Sequence, residues 1–358
     1  MKKNRNTHRL RDRILGNAWL PLAAFNLFLL AVLSLHAWLN IFPDRGAVAV
    51  DPAPPRLAKT LIPSGPITYM HLRNVKFHWD DEIFVRTPDM TVRGEPLGDN
   101  RHIDFGYPDS FALNIIGGTV IADLAIVTRL FNTRVFAYPG APLRNLSLRT
   151  LPEEGGAQIE LRGQMKFGAW ISFTARAAIS VDTESNRIVM TTGSISALGL
   201  PFARGLMGSV GLTLEKLVAL DGSRGVAVRG NNIIIDPMAL FPPPRLRGLL
   251  DTARLEGETL RITFREQERV AFPARPVRAA NDIMLFMGTL QIARMRMIDP
   301  VVQIIDITPE DFLEFNTARY YTQITASAIR ILESQAVLMY MPDIGKLLPA
   351  APRAADAH

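Results

Sequence analysis

The chain has 358 residues, of which 48% are hydrophobic and 21% are charged, so it can bury a substantial core and is not a disordered protein. Six basic residues before Ala18 account for most of the net charge of +6. The remainder is therefore near neutral, which argues against a nucleic-acid partner. There is no cysteine, which excludes disulfides, thiolate metal sites and cysteine nucleophiles.

An apolar stretch over residues 18–39 predicts one transmembrane helix. It contains no Asp, Glu, Lys or Arg, and its 22 residues would span about 33 Å, enough for a hydrocarbon core of about 30 Å. The basic tail, residues 1–17, predicts a cytoplasmic N-terminus and a periplasmic main domain, anchored in the inner membrane. The alternative is a signal peptide cleaved near Ala47–Ala49, but the apolar stretch is long for one, which favours an uncleaved signal-anchor.

Composition divides the rest of the chain into three parts. Residues 40–66 are rich in Pro and Ala and predict a semi-extended tether. Residues 67–345 predict an extracytoplasmic folded domain. Residues 346–358 are again Ala- and Pro-rich and predict a disordered tail.

Many segments of the domain alternate polar and apolar residues, which is typical of half-buried strands. Strands are predicted at 67–79, 83–93, 143–150, 158–162, 169–181, 187–195, 226–228, 232–236, 246–255, 259–265, 283–288, 291–298, 301–307 and 335–341.

Helical spacing occurs in three places. A first helix, Thr119–Phe136, is predicted because apolar residues recur in it at steps of three and four. A second is predicted after Pro201, ending near Leu217, and a less regular third over 309–327. Helices and strands do not alternate regularly, so we predict an α+β fold in which a large curved antiparallel sheet packs on one or two amphipathic helices.

The sequence contains no recognised catalytic motif. It has no phosphate-binding loop, no H-E-x-x-H metal motif and no G-x-S-x-G nucleophile elbow. We therefore expect no enzyme activity, no cofactor and no metal site. The alternative is a hydrolase that uses His78 with the nearby acids Asp80–Glu82.

Over residues 142–264 the chain resembles LmeA-like bacterial phospholipid-binding proteins. The resemblance is carried by the Pro142-Leu143 strand start, Gly163 in an alternating strand, Leu200-Pro201 before the second helix, Gly230 in a turn, and the strand Asn232–Pro237. It implies a fold similar to tubular lipid-binding domains, with a curled sheet around a long helix and an apolar groove for lipid tails.

Together these observations predict a membrane-anchored, periplasmic-side protein of the bacterial envelope that binds or transfers phospholipid without catalysis. Met is flexible and adapts to apolar shapes, which fits either ordinary core filling or contact with acyl chains. Two methionines join the candidate groove residues: Leu206, Val210, Leu214, Ile262, Phe264, Met295 and Met297. The other possibility is an envelope structural or assembly protein that binds another protein through sheet edges or the 309–327 helix.

Overall fold

The structure, a computed structural model, describes residues 65–151, 158–197, 214–217, 220, 222 and 225–347. All of them belong to one compact unit, Pro54–His358. This part of the chain is mostly β, with 54% strand and 12% helix. The predicted α+β class is therefore wrong, because strands dominate and the helices are short.

The predicted transmembrane anchor is also corrected. Within the described residues, every helix is too short or too polar to cross a membrane. The stretch 18–39, which carried the expectation of a transmembrane signal-anchor, lies outside the described residues, as do the tail 1–17 and most of the tether 40–66.

The described residues form twenty strands. The first eight are β1 (Thr68–His78), β2 (Phe84–Pro96), β3 (Ile103–Asp104), β4 (Phe111–Asp123), β5 (Leu143–Leu151), β6 (Gln158–Phe167), β7 (Ala169–Asp182) and β8 (Arg187–Ala197). The next five are β9 (Val226–Arg229), β10 (Asn232–Ile235), β11 (Arg245–Gly248), β12 (Leu250–Glu256) and β13 (Thr259–Phe264). The last seven are β14 (Asp282–Phe286), β15 (Thr289–Ile292), β16 (Met295–Ile298), β17 (Val301–Asp306), β18 (Leu313–Asn316), β19 (Ala328–Ile331) and β20 (Val337–Met341).

The helices of the described part are short. They are α1 (Leu124–Leu130), which continues into a π-helical turn at Phe131–Val135, then α2 (Leu214–Leu217), α3 (Tyr320–Ala326) and α4 (Ile344–Leu347). Two 3-10 turns, Pro108–Ser110 and Thr317–Arg319, complete the set.

The strands form three sheets instead of the single sheet predicted. An eleven-stranded sheet has the order β12-β13-β4-β2-β1-β14-β17-β20-β19, with β11 beside β4 and β18 beside β1. A six-stranded sheet has the order β5-β6-β7-β8-β10-β9, and β16-β15-β3 form the third. Most pairs are antiparallel, as predicted, but β1–β18, β4–β11, β3–β15 and β17–β20 are parallel.

The predicted helix Thr119–Phe136 is correct only from Leu124 onward. Residues up to Asp123 belong to β4, where Val120 pairs with Ile262 of β13, and α1 begins at Leu124. The run Thr119-Val120-Ile121 is β-branched and fits a strand better than a helix. Pairing with β13 therefore overrides the helical spacing.

The predicted helix 309–327 is likewise only partly present. Leu313–Asn316 form β18, which pairs in parallel with Val75–His78 of β1, and α3 covers only Tyr320–Ala326. The pairing is long-range, which is why local periodicity did not reveal it. The predicted second helix lies mostly outside the described residues, which retain only α2 from it.

One large hydrophobic core joins the eleven-stranded and six-stranded sheets with α1. Strands from both sheets turn apolar residues toward it, including Val92 of β2, Ile159 of β6 and Met190 of β8. Leu124 and Phe131 contribute from the helical segment. This arrangement surrounds the cavity described next.

Candidate functional site

A cavity of about 170 Å³ lies in the core between the two larger sheets and α1. The eleven-stranded sheet contributes residues of β1, β2, β4, β11 and β13, and the six-stranded sheet contributes residues of β5 to β8 and β10. Its principal lining residues are Leu72, Phe77, Met90, Val92, Ile115, Val120, Ala122, Leu124, Val127, Phe131, Leu148, Ile159, Ile179, Ile188, Met190, Ile235, Leu260, Ile262 and Phe264. The cavity is thus built by long-range contacts.

The lining of this cavity is almost purely apolar. Among the described residues, Thr87 is the one lining residue with a hydroxyl, and this hydroxyl donates to the carbonyl oxygen of Thr119 at 2.8 Å. A cavity needs polar partners to hold water, and apolar cavities of this size stay dry and bind apolar guests. This cavity therefore suits hydrocarbon.

The apolar lining depends on a point in β4 where the side chains that face the cavity change from one alternating set of residues to the other. In β4 the lining residues are Leu113 and Ile115 at one end but Val120 and Ala122 at the other, a change from odd to even positions. The change falls at Gly117 and Gly118, where the register with β2 shifts. Without the reversal, half of β4 would turn its polar positions toward the cavity.

Part of the cavity rim is aromatic. Trp79, just after β1, stacks on Phe241 with ring centroids 3.6 Å apart and planes 13° apart, and both rings line the cavity. Both are only part-buried, so this side of the cavity reaches the protein surface.

A polar groove adjoins the same cavity at another point. It shares Met238 and Leu246 with the cavity and is otherwise lined mainly by polar groups, among them Asn186, Arg187 and Arg247. The combination of dry cavity and polar groove is the arrangement that an amphiphile requires.

The predicted groove residues lie in different parts of the structure. Ile262 and Phe264 of β13 line the cavity. Leu214 lines a separate void of about 30 Å³ under the six-stranded sheet. Met295 and Met297 pack against the core from β16 but do not line either space. Leu206 and Val210 lie outside the described residues.

The predicted hydrolase residues do not form a cluster. His78 is buried, and its Nε2 lies 3.6 Å from Oε1 of Glu314 on β18. The acids that follow His78 face basic partners instead: Asp80 pairs with Arg134, Asp81 with Arg319 and Glu82 with Arg129. This geometry offers no nucleophile and base within reach of each other.

Three carboxylates that the sequence analysis missed lie together at another place. Atoms of Asp306, Asp311 and Asp343 come within 4.8 Å of one another. The Lys346 ammonium lies 2.8 Å from Asp343, and burial raises the pKa of Asp306. An ammonium already provides positive charge there, so the cluster is explained as part of the fold.

Sequence reasoning missed most of the cavity lining. The residues of β2 and of the six-stranded sheet were recognised as strand residues, whereas β4 was not predicted as a strand. Which face each of these residues presents depends on partners far away in sequence. The aromatic pair Trp79–Phe241 was missed too, since 162 positions separate its members. A run of bulky apolar residues in many short strands was the available signal, and it does not distinguish a cavity from a filled core.

Comparison with known proteins gave no match: neither a protein-family model, nor a curated protein, nor a solved structure is significantly similar to this chain. The geometry of the cavity and groove is accordingly the basis for assigning a function.

Proposed function

We propose that this protein binds a lipid by enclosing its hydrocarbon chain in the cavity between the two larger sheets, with no covalent step. The observation that carries the proposal is the lining: about 170 Å³ of space surrounded by apolar side chains, with its one lining hydroxyl already hydrogen-bonded. Such a space excludes polar substrates, because they would lose their hydrogen bonds to water without replacement.

The size of the cavity is sufficient for useful binding. An apolar cavity of about 150 Å³ accepts a benzene ring, so this one accommodates a comparable length of acyl chain. Burying about six methylene groups contributes about 5 kcal/mol at about 0.8 kcal/mol each. Part of this is offset by the loss of translational freedom. We therefore expect the lipid to bind reversibly, as a carrier requires.

A cavity-filling substitution tests the proposal. Ala122 lies on β4, is 7% exposed and lines the cavity. In the Ala122→Phe variant the ring would occupy the space of the chain. We expect binding of radiolabelled palmitate, measured by equilibrium dialysis, to fall at least about tenfold, the equivalent of about 1.4 kcal/mol. The melting temperature should be maintained, because the ring fills existing space.

The matched control is Ala125→Phe, which adds the same ring at an exposed position of α1. Palmitate binding should be unchanged in this variant. Equal palmitate binding by Ala122→Phe and the unaltered protein, with both folded, would refute the proposal. So would an unaltered protein that neither binds palmitate nor yields extractable lipid after purification without detergent.

A further inference from the structure

The polar groove beside the cavity combines charge with apolar contact. Arg187 of β8 and Arg247 of β11 line it, and so do Asp236 and the exposed side chain of Leu249. Met238 and Leu246 line both the groove and the cavity. A molecule that passes between these two side chains would have one part in hydrocarbon surroundings and the other among charged groups.

The two guanidinium groups of the groove are not equivalent. Arg187 is engaged, since it lies 3.0 Å from Oδ2 of Asp236 and donates to the backbone oxygens of Ser185 and Asn186. These contacts fix Arg187 and neutralise its charge. It is therefore the poorer candidate for binding an added anion.

Arg247 is held much less firmly. Its acidic neighbour is Glu95 at 3.5 Å, and Glu95 makes its shorter contact, 2.7 Å, with Arg93. The Arg247 side chain is 47% exposed. It can therefore turn its planar set of donors toward an incoming carboxylate or phosphate, the groups for which arginine geometry is best suited.

The strand that carries Arg247 also positions the chain of the ligand. Arg247 and Leu246 are adjacent residues of β11. Both line the groove, and Leu246 also lines the cavity. One amphiphilic molecule can thus place its anionic group at Arg247 and its acyl chain past Leu246.

We propose that the ligand is a single-chain amphiphile with an anionic headgroup, whose chain occupies the cavity and whose headgroup binds Arg247. This inference rests on the proposed function. A cavity of about 170 Å³ is below the range of about 300–1,000 Å³ usual for drug-sized ligands. It therefore has room for about six methylene groups of one chain and not for a second chain beside it. The carboxylate of a fatty acid and the phosphate of a lysophospholipid share the required chemistry.

The experiment compares three ligands with the same chain in two variants of the full chain. The ligands are palmitate, 1-palmitoyl lysophosphatidic acid and uncharged hexadecanol, each measured by equilibrium dialysis below its aggregation concentration. The test variant is Arg247→Gln. The matched control is Arg245→Gln, which removes the same charge from an exposed residue of the same strand that does not line the groove.

We expect Arg247→Gln to weaken binding of at least one anionic ligand by about five- to tenfold and to leave hexadecanol binding unchanged. The relative loss for palmitate and for lysophosphatidic acid identifies which anion the groove prefers. Arg245→Gln should resemble the unaltered protein. Comparing hexadecanol with the anionic ligands separates the headgroup contact from burial of the chain, because a variant that merely unfolds would lose hexadecanol binding as well.

Two results would overturn the inference in distinguishable ways. If all three ligands bind and Arg247→Gln changes none of them, the headgroup assignment is refuted while the cavity still binds chains. If no ligand binds the unaltered protein, the proposed function fails as well. Tight binding of a diacyl phosphatidic acid in preference to both single-chain anions would refute the limit to one chain.

Discussion

At the residue scale, the part-buried contact among Lys76, His78 and Glu314 stabilises the junction of β1 and β18. His78 Nε2 at 3.6 Å and the Lys76 ammonium at 2.9 Å lower the pKa of Glu314 to about 2. The Glu314 side chain is 16% exposed, so solvent screens these contacts only partly. They join strands whose residues lie more than 230 positions apart in sequence. Substitutions at these side chains therefore test how much the junction contributes to stability.

The pKa of Glu314 predicts a dependence of stability on pH. Its folded value of about 2 is below its ordinary value of 4.5, so its ionisation stabilises the fold above about pH 4.5. That contribution is lost as the pH falls from about 4.5 to about 2. The Glu314→Gln variant should lose about 1–3 kcal/mol in the free energy of unfolding at pH 7.

Urea unfolding at several pH values checks this expectation. The difference between Glu314→Gln and the unaltered protein should shrink as the pH falls below about 4.5. The control is Glu310→Gln, because Glu310 is exposed. A difference that stays constant down to about pH 2 would contradict the role given to ionised Glu314.

At the element scale, the glycine pair of β4 determines how the strand crosses the cavity. Gly118 has φ +131°, and a Cβ there would lie 2.6 Å from the carbonyl oxygen of Asp89 and 2.6 Å from Cα of Met90. At Gly117 the nearest atom to an added Cβ, in Glu266, is 3.6 Å away. Two adjacent glycines therefore have very different tolerance for a side chain.

We expect Gly118→Ala to destabilise the protein by about 1–3 kcal/mol, since the backbone would be strained and β2 would have to move. Gly117→Ala should change the free energy of unfolding by less than about 1 kcal/mol. Thermal and urea unfolding of the two variants give the comparison. Equal losses in both would show that the reversal of alternation does not depend on Gly118.

The elements themselves were predicted unevenly. The hairpin β7–β8 and the strand β13 match the predicted strands closely, because their alternation and turn residues are local signals. The strand β18 and the strand residues 119–123 at the start of the predicted helix were missed. Their strand conformation is stabilised by partners distant in sequence, at Val75 and Ile262 respectively. The local spacing of apolar residues does not reveal those partners.

At the scale of the whole molecule, occupation of the cavity should stabilise the fold as a unit. The cavity is lined by both larger sheets and α1, so a bound chain contacts all three at once. A ligand at about 100 times its dissociation constant adds about 2.7 kcal/mol. For a domain of about 150–250 residues each kcal/mol raises Tm by about 2–4 °C.

We therefore expect saturating palmitate to raise Tm by about 5–10 °C, as followed by circular dichroism. The same addition should leave Ala122→Phe nearly unchanged, because its cavity is filled. An equal rise in both proteins would indicate binding somewhere other than the cavity.

The sequence by itself determined several β hairpins and the apolar character of their strands, because alternation, turn residues and composition are local properties. Two of the predicted groove residues, Ile262 and Phe264, line the cavity because their strand alternates regularly. Only the tertiary structure decided that the fold is mostly β, that three sheets form, and that β4 reverses its alternation at Gly117 and Gly118. It also placed Arg247 in the groove that adjoins the cavity. The reason is physical: whether apolar faces meet fully or leave a space depends on the register and twist of strands brought together from distant parts of the chain.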